Sequence, residues 1–372
     1  MKSKELWLFS KHGNDVGDNA FAFLKYVKNN HPEIRCVFVV DKKYPEAYEA
    51  AKQVSEVVQF RSIKHKLLFL KADKITTSHV GDSEPWDYEK VIKLREKYPK
   101  WARKHKIIHL QHGVIDKNVS HIYSKKLRPV DLFISSTPAE KKYIEKTLGY
   151  EPEQVPCTGL ARWDELYGAK PERIILLIPR YRADVMVQLP ENKKKLKYHF
   201  MCTQFYKKYQ ELLVDKKLAK MLEENDYKLI FYPHYEVQPL IDCFHTDCER
   251  IQILDRSNIS LDELLKNSAL MITDYSSVAF DFGYMRKPVI YYQFDRDMFE
   301  AEYGGSYFDY ERDGFGPVTY DKELFFETIN NWFKGNTDFQ EAYAAKYEDM
   351  FISLDNCNCR RIFKEVKGLN NL

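Results

Sequence analysis

The sequence predicts an α/β protein of two doubly wound halves in tandem, and three observations carry that expectation. Short apolar runs alternate with longer helical patterns along the chain, as βαβ construction requires. The pattern restarts near its middle. At 372 residues and 44% hydrophobic, with 26 Tyr and 23 Phe, the chain has material for two cores and is too long for one ordinary core.

In the first half, 5-ELWLF-9 and 35-RCVFVV-40 read as buried strands flanking a helix from Asn19 to Asn29. Further strands are expected at 56-EVVQF-60, 73-DKITTS-78, 106-KIIHLQ-111 and 131-DLFIS-135. The second half reads as strands at 173-RIILLIP-179, 227-YKLIFYP-233, 250-RIQIL-254, 268-SALMIT-273 and 288-PVIYY-292. Helices are expected over 203–224 and 260–267, and an exposed loop over 183–200. This divides the chain into 1–165, 166–330 and a helical tail over 331–372. Doubly wound halves place their ligand crevice at the carboxyl ends of the strands.

Composition narrows the function classes. Charged residues make up 30% of the chain but nearly cancel to a formal net charge of +3. That balance argues against a general nucleic-acid binder. Seven cysteines without a CxxC pair fit a reduced, cytoplasmic setting. Apolar runs such as 67-LLFL-70 and 174-IILLI-178 are too short to span a bilayer.

Three segments carry chemistry-bearing residues. In 269-ALMITDYSSVAFDFGYMRKPVIYY-292, a buried strand runs through Thr273 into Asp274, Ser276 and Ser277 at an expected helix start, with Asp281 one turn beyond. Unsatisfied first-turn N–H groups and two hydroxyls suit a pyrophosphate, although Asp and Ser also serve there as plain N-caps. In 107-IIHLQHGVIDKN-118, a strand delivers His112, then Gly113 for tight turning and Lys117 within reach of the same loop. A histidine there can accept a proton from an alcohol near neutral pH, or simply bond backbone. His109, earlier on this strand, reads as structural. In 229-LIFYPHYE-236 another strand ends in a histidine, His234. One strand-end histidine per half suits a shared cleft. Arg180 and Arg182 have forked guanidiniums suited to phosphate oxygens. Asp18, Asn19, Arg162 and Asp164 read equally as caps, ion pairs or loop supports.

With these residues in view, the chain resembles the CDP-glycerol glycerophosphotransferase family of teichoic acid polymerases and primases. The resemblance rests on HGxxxK at His112, Gly113 and Lys117, GLxRxD from Gly159 to Asp164, and Pro179 with Arg182. It continues through His234, TDYSSVAFDF from Thr273 to Phe282, Gly316-Pro317, and an early Asp18-Asn19. It implies a GT-B fold with two domains facing a central cleft, the nucleotide donor held mainly by the C-terminal domain. It also implies that His112 and His234 are essential and that Ser276 and Ser277 approach the donor pyrophosphate.

The expected reaction is attack by a polymer-end hydroxyl on the CDP-activated donor, releasing CMP. His112 is then base or orienter, with His234, Ser276, Ser277 and Arg182 stabilising the leaving charge and Asp281 orienting the serine loop. Asp18, Asn19, Arg162, Gly113 and Lys117 fall to the acceptor side or to loop support. No metal-ligand cluster stands out, so no cofactor is required, and Mg²⁺ stays open as an ion riding on the pyrophosphate. Expected partners are CDP-glycerol or a related CDP-alditol and a polymer or lipid-linked acceptor. Basic, apolar-bearing stretches at Lys64–Lys74 and Lys90–Lys106 add an anionic membrane surface, approached from the cytoplasmic side. Two rivals stand beside this reading: a GT-B glycosyltransferase using a nucleotide sugar, and a non-catalytic polymer-assembly subunit.

Overall fold

A computed structural model describes residues 4–13, 16–182, 193–304, 306–335 and 337–369. The chain divides into two compact units. The first comprises Met1–Tyr167, Gly305–Tyr307 and Met350–Leu372, and the second Gly168–Gly304 and Phe308–Asp349. The stretch expected as one helical tail is therefore shared out, its last part belonging to the first unit.

The first unit holds strands β1 (Leu6–Ser10), β2 (Arg35–Val40), β3 (Glu56–Gln59), β4 (Lys74–Thr77), β5 (Lys106–His109) and β6 (Leu132–Phe133). They form one parallel sheet in the order β3-β2-β1-β4-β5-β6. Successive side chains on β1 face opposite ways. Trp7 and Phe9 enter one core with Phe23, Phe38 and Ile362, while Leu6 and Leu8 enter the other with Phe69, Ile75 and Ile107. A sheet buried on both faces requires near-continuous apolar strands, which is why 35-RCVFVV-40 shows no polar alternation.

The second unit repeats this winding with β7 (Ile174–Leu177), β8 (Lys228–Phe231), β9 (Ile251–Ile253), β10 (Leu270–Thr273), β11 (Val289–Tyr292) and β12 (Val318–Thr319). Its order is β12-β11-β10-β7-β8-β9, again all parallel. In each unit the winding direction reverses beside the first strand, between β1 and β4 and between β7 and β10. Ligands of doubly wound sheets bind outside the carboxyl ends at such reversals.

Two expectations change. Edge strand β12 was not foreseen, because two residues carry no periodicity. Gly316 just before it allows the close approach to β11: a Cβ there would come within 1.6 Å of the Val289 carbonyl oxygen. Residues 183–192 of the expected loop lie outside the described residues, but Lys193–Cys202 is a helix. Its Phe200 is fully buried against Phe205, Tyr206 and Phe244. Among the described residues no helix is long and apolar enough to cross a membrane.

Candidate functional site

The first unit gathers motifs far apart in sequence at the carboxyl ends of β1, β4 and β5. Asn19, buried at the start of helix Asn19–Asn30, donates from Nδ2 to the Gln111 carbonyl (2.8 Å). Its Oδ1 accepts the Arg162 N–H (3.0 Å). The Arg162 guanidinium donates to Asp18 (3.1 Å) and to the His112 carbonyl oxygen. Burial pushes the Asp18 carboxyl up to about 6 against the pull of Lys11 and Arg162. Asp18, Asn19, Arg162 and the backbone of His112 thus form one hydrogen-bonded frame, and the His112 side chain emerges from it exposed.

The other residues of GLxRxD serve a second purpose. Asp164 accepts the Asn358 N–H (2.7 Å), the Asn358 side-chain amide (2.7 Å) and the Cys359 N–H (2.8 Å), so it caps helix Asn358–Gly368. Gly159 sits at φ 81°, and a Cβ there would lie 1.9 Å from Asn358 Oδ1. Glycine is required on both counts.

The loop after β5 differs from expectation. Its left-handed residue is Gln111 (φ 62°) rather than Gly113. The cost of that conformation is met by anchoring: Gln111 Nε2 donates to the Ile134 carbonyl oxygen and to Glu140 (3.1 Å). Glu140, which sequence reasoning missed, also accepts the Ile115 N–H (2.5 Å), the Ser136 N–H (2.5 Å) and the Ser136 hydroxyl (2.6 Å). One buried carboxyl therefore holds the Gln111 side chain before His112-Gly113 and the Ile115 backbone after it. The available signal was Thr137, whose hydroxyl accepts the Glu140 N–H (3.1 Å) as an N-cap, with a glutamate three residues on. Lys117 is buried and paired with Asp116 at 2.6 Å, so it supports the loop from within.

Burial raises the Glu140 carboxyl to about 7, against the donors that favour its anion. Between pH 4.5 and 7 the folded state then keeps a proton that the unfolded state has released. The contribution is present below pH 4.5 and lost as pH rises through 7. Glu140→Gln, which cannot ionise, should therefore gain stability relative to the native protein as pH rises from 5 to 8. Urea midpoints at those two values test this, and an unchanged difference contradicts it.

In the second unit, β10 ends at Thr273, whose hydroxyl donates to the Ile178 carbonyl (2.7 Å). Asp274 is completely buried and accepts the Arg180 N–H (2.8 Å), the Tyr275 N–H (2.6 Å), the Tyr209 hydroxyl (2.9 Å) and Arg182 Nη2 (2.8 Å). Arg182 also forks onto Asp295 (2.7 and 3.1 Å) and donates from Nη1 to its neighbour's carbonyl at Arg180 (2.7 Å). Every guanidinium nitrogen is thus engaged inside the unit, and Arg182 is 4% exposed. Asp274 and Arg182, expected at the donor, brace this turn from inside the unit, and Thr273 is tied to Ile178. Asp281 is likewise buried.

Half-buried Ser276 and Ser277 stand at the surface of this brace. They do not open the helix directly, since the following helix begins at Ala279 and runs only to Tyr284. At the end of β8, His234 Nδ1 accepts the Glu236 N–H (3.3 Å), which leaves the proton of the neutral ring on Nε2. Burial, assisted by Arg180 and opposed by Asp274, lowers His234 to about 4. At neutral pH it is a neutral donor, not an imidazolium. Lys287 of the same motif caps helix Leu261–Asn267 through the carbonyls of Leu265 (2.8 Å) and Lys266 (2.7 Å).

Two doubly wound units in tandem, with polar loops collected at their strand ends, define a protein of the GT-B class of fold. Residues 1–368 match the family described as CDP-glycerol:poly(glycerophosphate) glycerophosphotransferase, and the chain belongs to that family. It is 29% identical over 371 residues to the minor teichoic acid biosynthesis protein GgaB of Bacillus subtilis (strain 168), covering 99% of this chain but 40% of that protein. It is 23% identical to a teichoic acid glycerol-phosphate transferase of Staphylococcus aureus (strain NCTC 8325 / PS 47), covering 98% of this chain and 94% of that one. The solved wall teichoic acid polymerase TagF superposes with a TM-score of 0.70 at 19% identity, covering 100% of this chain and 90% of that one. That last likeness establishes the shared fold.

Proposed function

We propose that the protein transfers a glycerol-phosphate or related alditol-phosphate unit from a CDP-activated donor to a hydroxyl at the end of a teichoic-acid-like or capsular polymer. The observation that carries this reading is the family match over 1–368. The convergence of its distant motifs at strand ends supports it. The acceptor oxygen bonds to the phosphorus distal to cytidine, the bond from that phosphorus to the bridging oxygen breaks, and CMP leaves. His112 accepts the hydroxyl proton. His234, through Nε2–H, and the hydroxyls of Ser276 and Ser277 donate toward the oxygens on which charge accumulates. No resident cofactor is needed, and Mg²⁺ would ride on the pyrophosphate. TagF has also been solved with CDPG. Incubating the protein with CDP-glycerol, CDP-ribitol and a glycerol-phosphate-terminated acceptor should release CMP. Release of CDP instead identifies a sugar transferase, and binding without turnover a non-catalytic subunit. Ser276→Ala with Ser277→Ala should raise the donor KM or lower kcat at an unchanged unfolding midpoint.

The same reading places the enzyme at the inner face of the cell membrane. Helix Ile63–Lys71 exposes Ile63 (77%) and Leu67 (53%) beside the exposed Lys64 and Lys71. The Trp101 indole N–H donates to the Leu70 carbonyl (2.8 Å), joining this helix to the exposed Lys97, Tyr98, Lys100, Arg103 and Lys104. Cations contribute about 1 kcal/mol each at an anionic surface, and the apolar side chains between them enter the interface. The protein should sediment with phosphatidylglycerol vesicles at low salt and be released as salt rises. Retention in the supernatant at every salt concentration refutes the placement.

A further inference from the structure

The histidine expected as base does not stand alone. His79, on the loop that follows β4, presents its ring to His112 in a stack, with centroids 4.5 Å apart and planes 19° apart. His12, from the loop after β1, also lies against it, at 3.6 Å between centroids. The three imidazoles come from three different strand ends, one on each side of the reversal in winding and one from the neighbouring strand.

The loop carrying His79 is braced against movement. Its N–H donates to Thr77 Oγ1 (3.1 Å), and its carbonyl accepts the Ser83 hydroxyl (3.0 Å). Thr77 and Ser83 share a further hydrogen bond at 2.6 Å. The turn passes through Gly81 at φ 101°, where a Cβ would strike the Arg128 side chain. Buried Glu84 closes the loop by accepting the N–H groups of Gly81 (3.0 Å) and Ser83 (3.2 Å). His79 is itself 8% exposed, whereas His112 is exposed. A rigid, buried ring thus underlies an accessible one.

We propose that His79 is a positioning residue for the transfer reaction: a fixed aromatic platform that sets the orientation of the His112 imidazole. Burial above all, and then His112, His12, Lys11 and His109, which face it, disfavour a proton on its ring. The Asp82 carboxylate lies 3.9 Å from His12 Nδ1. A base must be neutral to accept a proton and held within a narrow angle to receive it, and misplacement by 1 Å costs about 100-fold in rate.

This inference rests on the reading of His112 as base, and the experiment separates the two. CMP release from CDP-glycerol is followed for the native protein, His112→Ala, His79→Ala and His79→Phe, with unfolding midpoints recorded for each. His79→Ala should lower kcat by about 10-fold or more with the donor KM within twofold. His79→Phe restores a flat, neutral ring. It should return kcat to within about threefold of native and leave the acidic limb of the pH profile in place. His79→Ala within twofold of native while His112→Ala is inactive overturns the platform alone. So does a His79→Phe protein that folds yet is no better than His79→Ala, or one whose acidic limb moves. Native-like turnover by His112→Ala overturns the reading of the base itself. Should His79→Ala fail to fold, His79→Phe still decides the matter by its rate.

Discussion

His112→Ala and His234→Ala should each lower CMP release by about 10²–10⁴-fold, the range typical for loss of a group that moves or donates a proton in the transition state. The two variants should differ in kind. The His112 side chain is exposed, and the frame of Asp18, Asn19 and Arg162 grips its backbone carbonyl. Truncation therefore leaves the frame intact, and the unfolding midpoint should stay close to native. His234 is half-buried between Tyr181 and Tyr235, with centroids 4.7 and 4.3 Å away, so its truncation should also cost some stability. His234→Gln keeps a donor near the Nε2 position and should recover part of the rate. Folded variants with near-native turnover would remove both residues from the mechanism.

The second large effect is on stability. Arg182→Ala should destabilise the protein by about 3–5 kcal/mol, because it strands Asp274 and Asp295 in the interior without their cation. Both carboxylates are almost fully buried and lie at 2.8 and 2.7 Å from the guanidinium. Tyr209 and the Arg180 N–H would remain on Asp274, but neither supplies charge. Activity should fall as a consequence, since Asp274 shapes the turn that presents Ser276 and Ser277. Urea unfolding separates this from direct donor binding. A native midpoint combined with a raised donor KM would return Arg182 to the phosphates.

The strands were legible wherever apolar residues ran on for four or more positions, because a parallel sheet covered on both faces writes itself as continuous hydrophobicity. β12 was illegible for the converse reason: it is two residues long and depends on Gly316 and the carbonyl of Val289, which lie 27 residues apart (316 − 289). Among candidate site residues, those at strand ends were readable because a buried run stopping at His or Asp is an abrupt change of chemistry. Glu140 lies at no strand end, and His79 follows the Thr- and Ser-bearing stretch 73-DKITTS-78 rather than a buried apolar run. Glu140 looks like an ordinary first-turn glutamate, and only tertiary structure turns it inward onto Ser136 and Ile115. For Arg182 the sequence shows that a guanidinium exists, but not that two aspartates 92 and 113 positions away hold it.

The docking of helix Asn358–Gly368 on Asp164 has a consequence for how the chain is made. Cys359, Ile362 and Val366 fill the same core as Trp7, Phe23 and Ala161, so one wall of the first unit is supplied by residues translated after the entire second unit. A nascent chain that has reached residue 167 carries all six strands of the first sheet yet an open hydrophobic flank. Contacts of such long sequence separation form late and leave apolar surface exposed in the interval. The second unit can complete its own sheet first, and the first unit closes only when the last helix leaves the ribosome and returns to it.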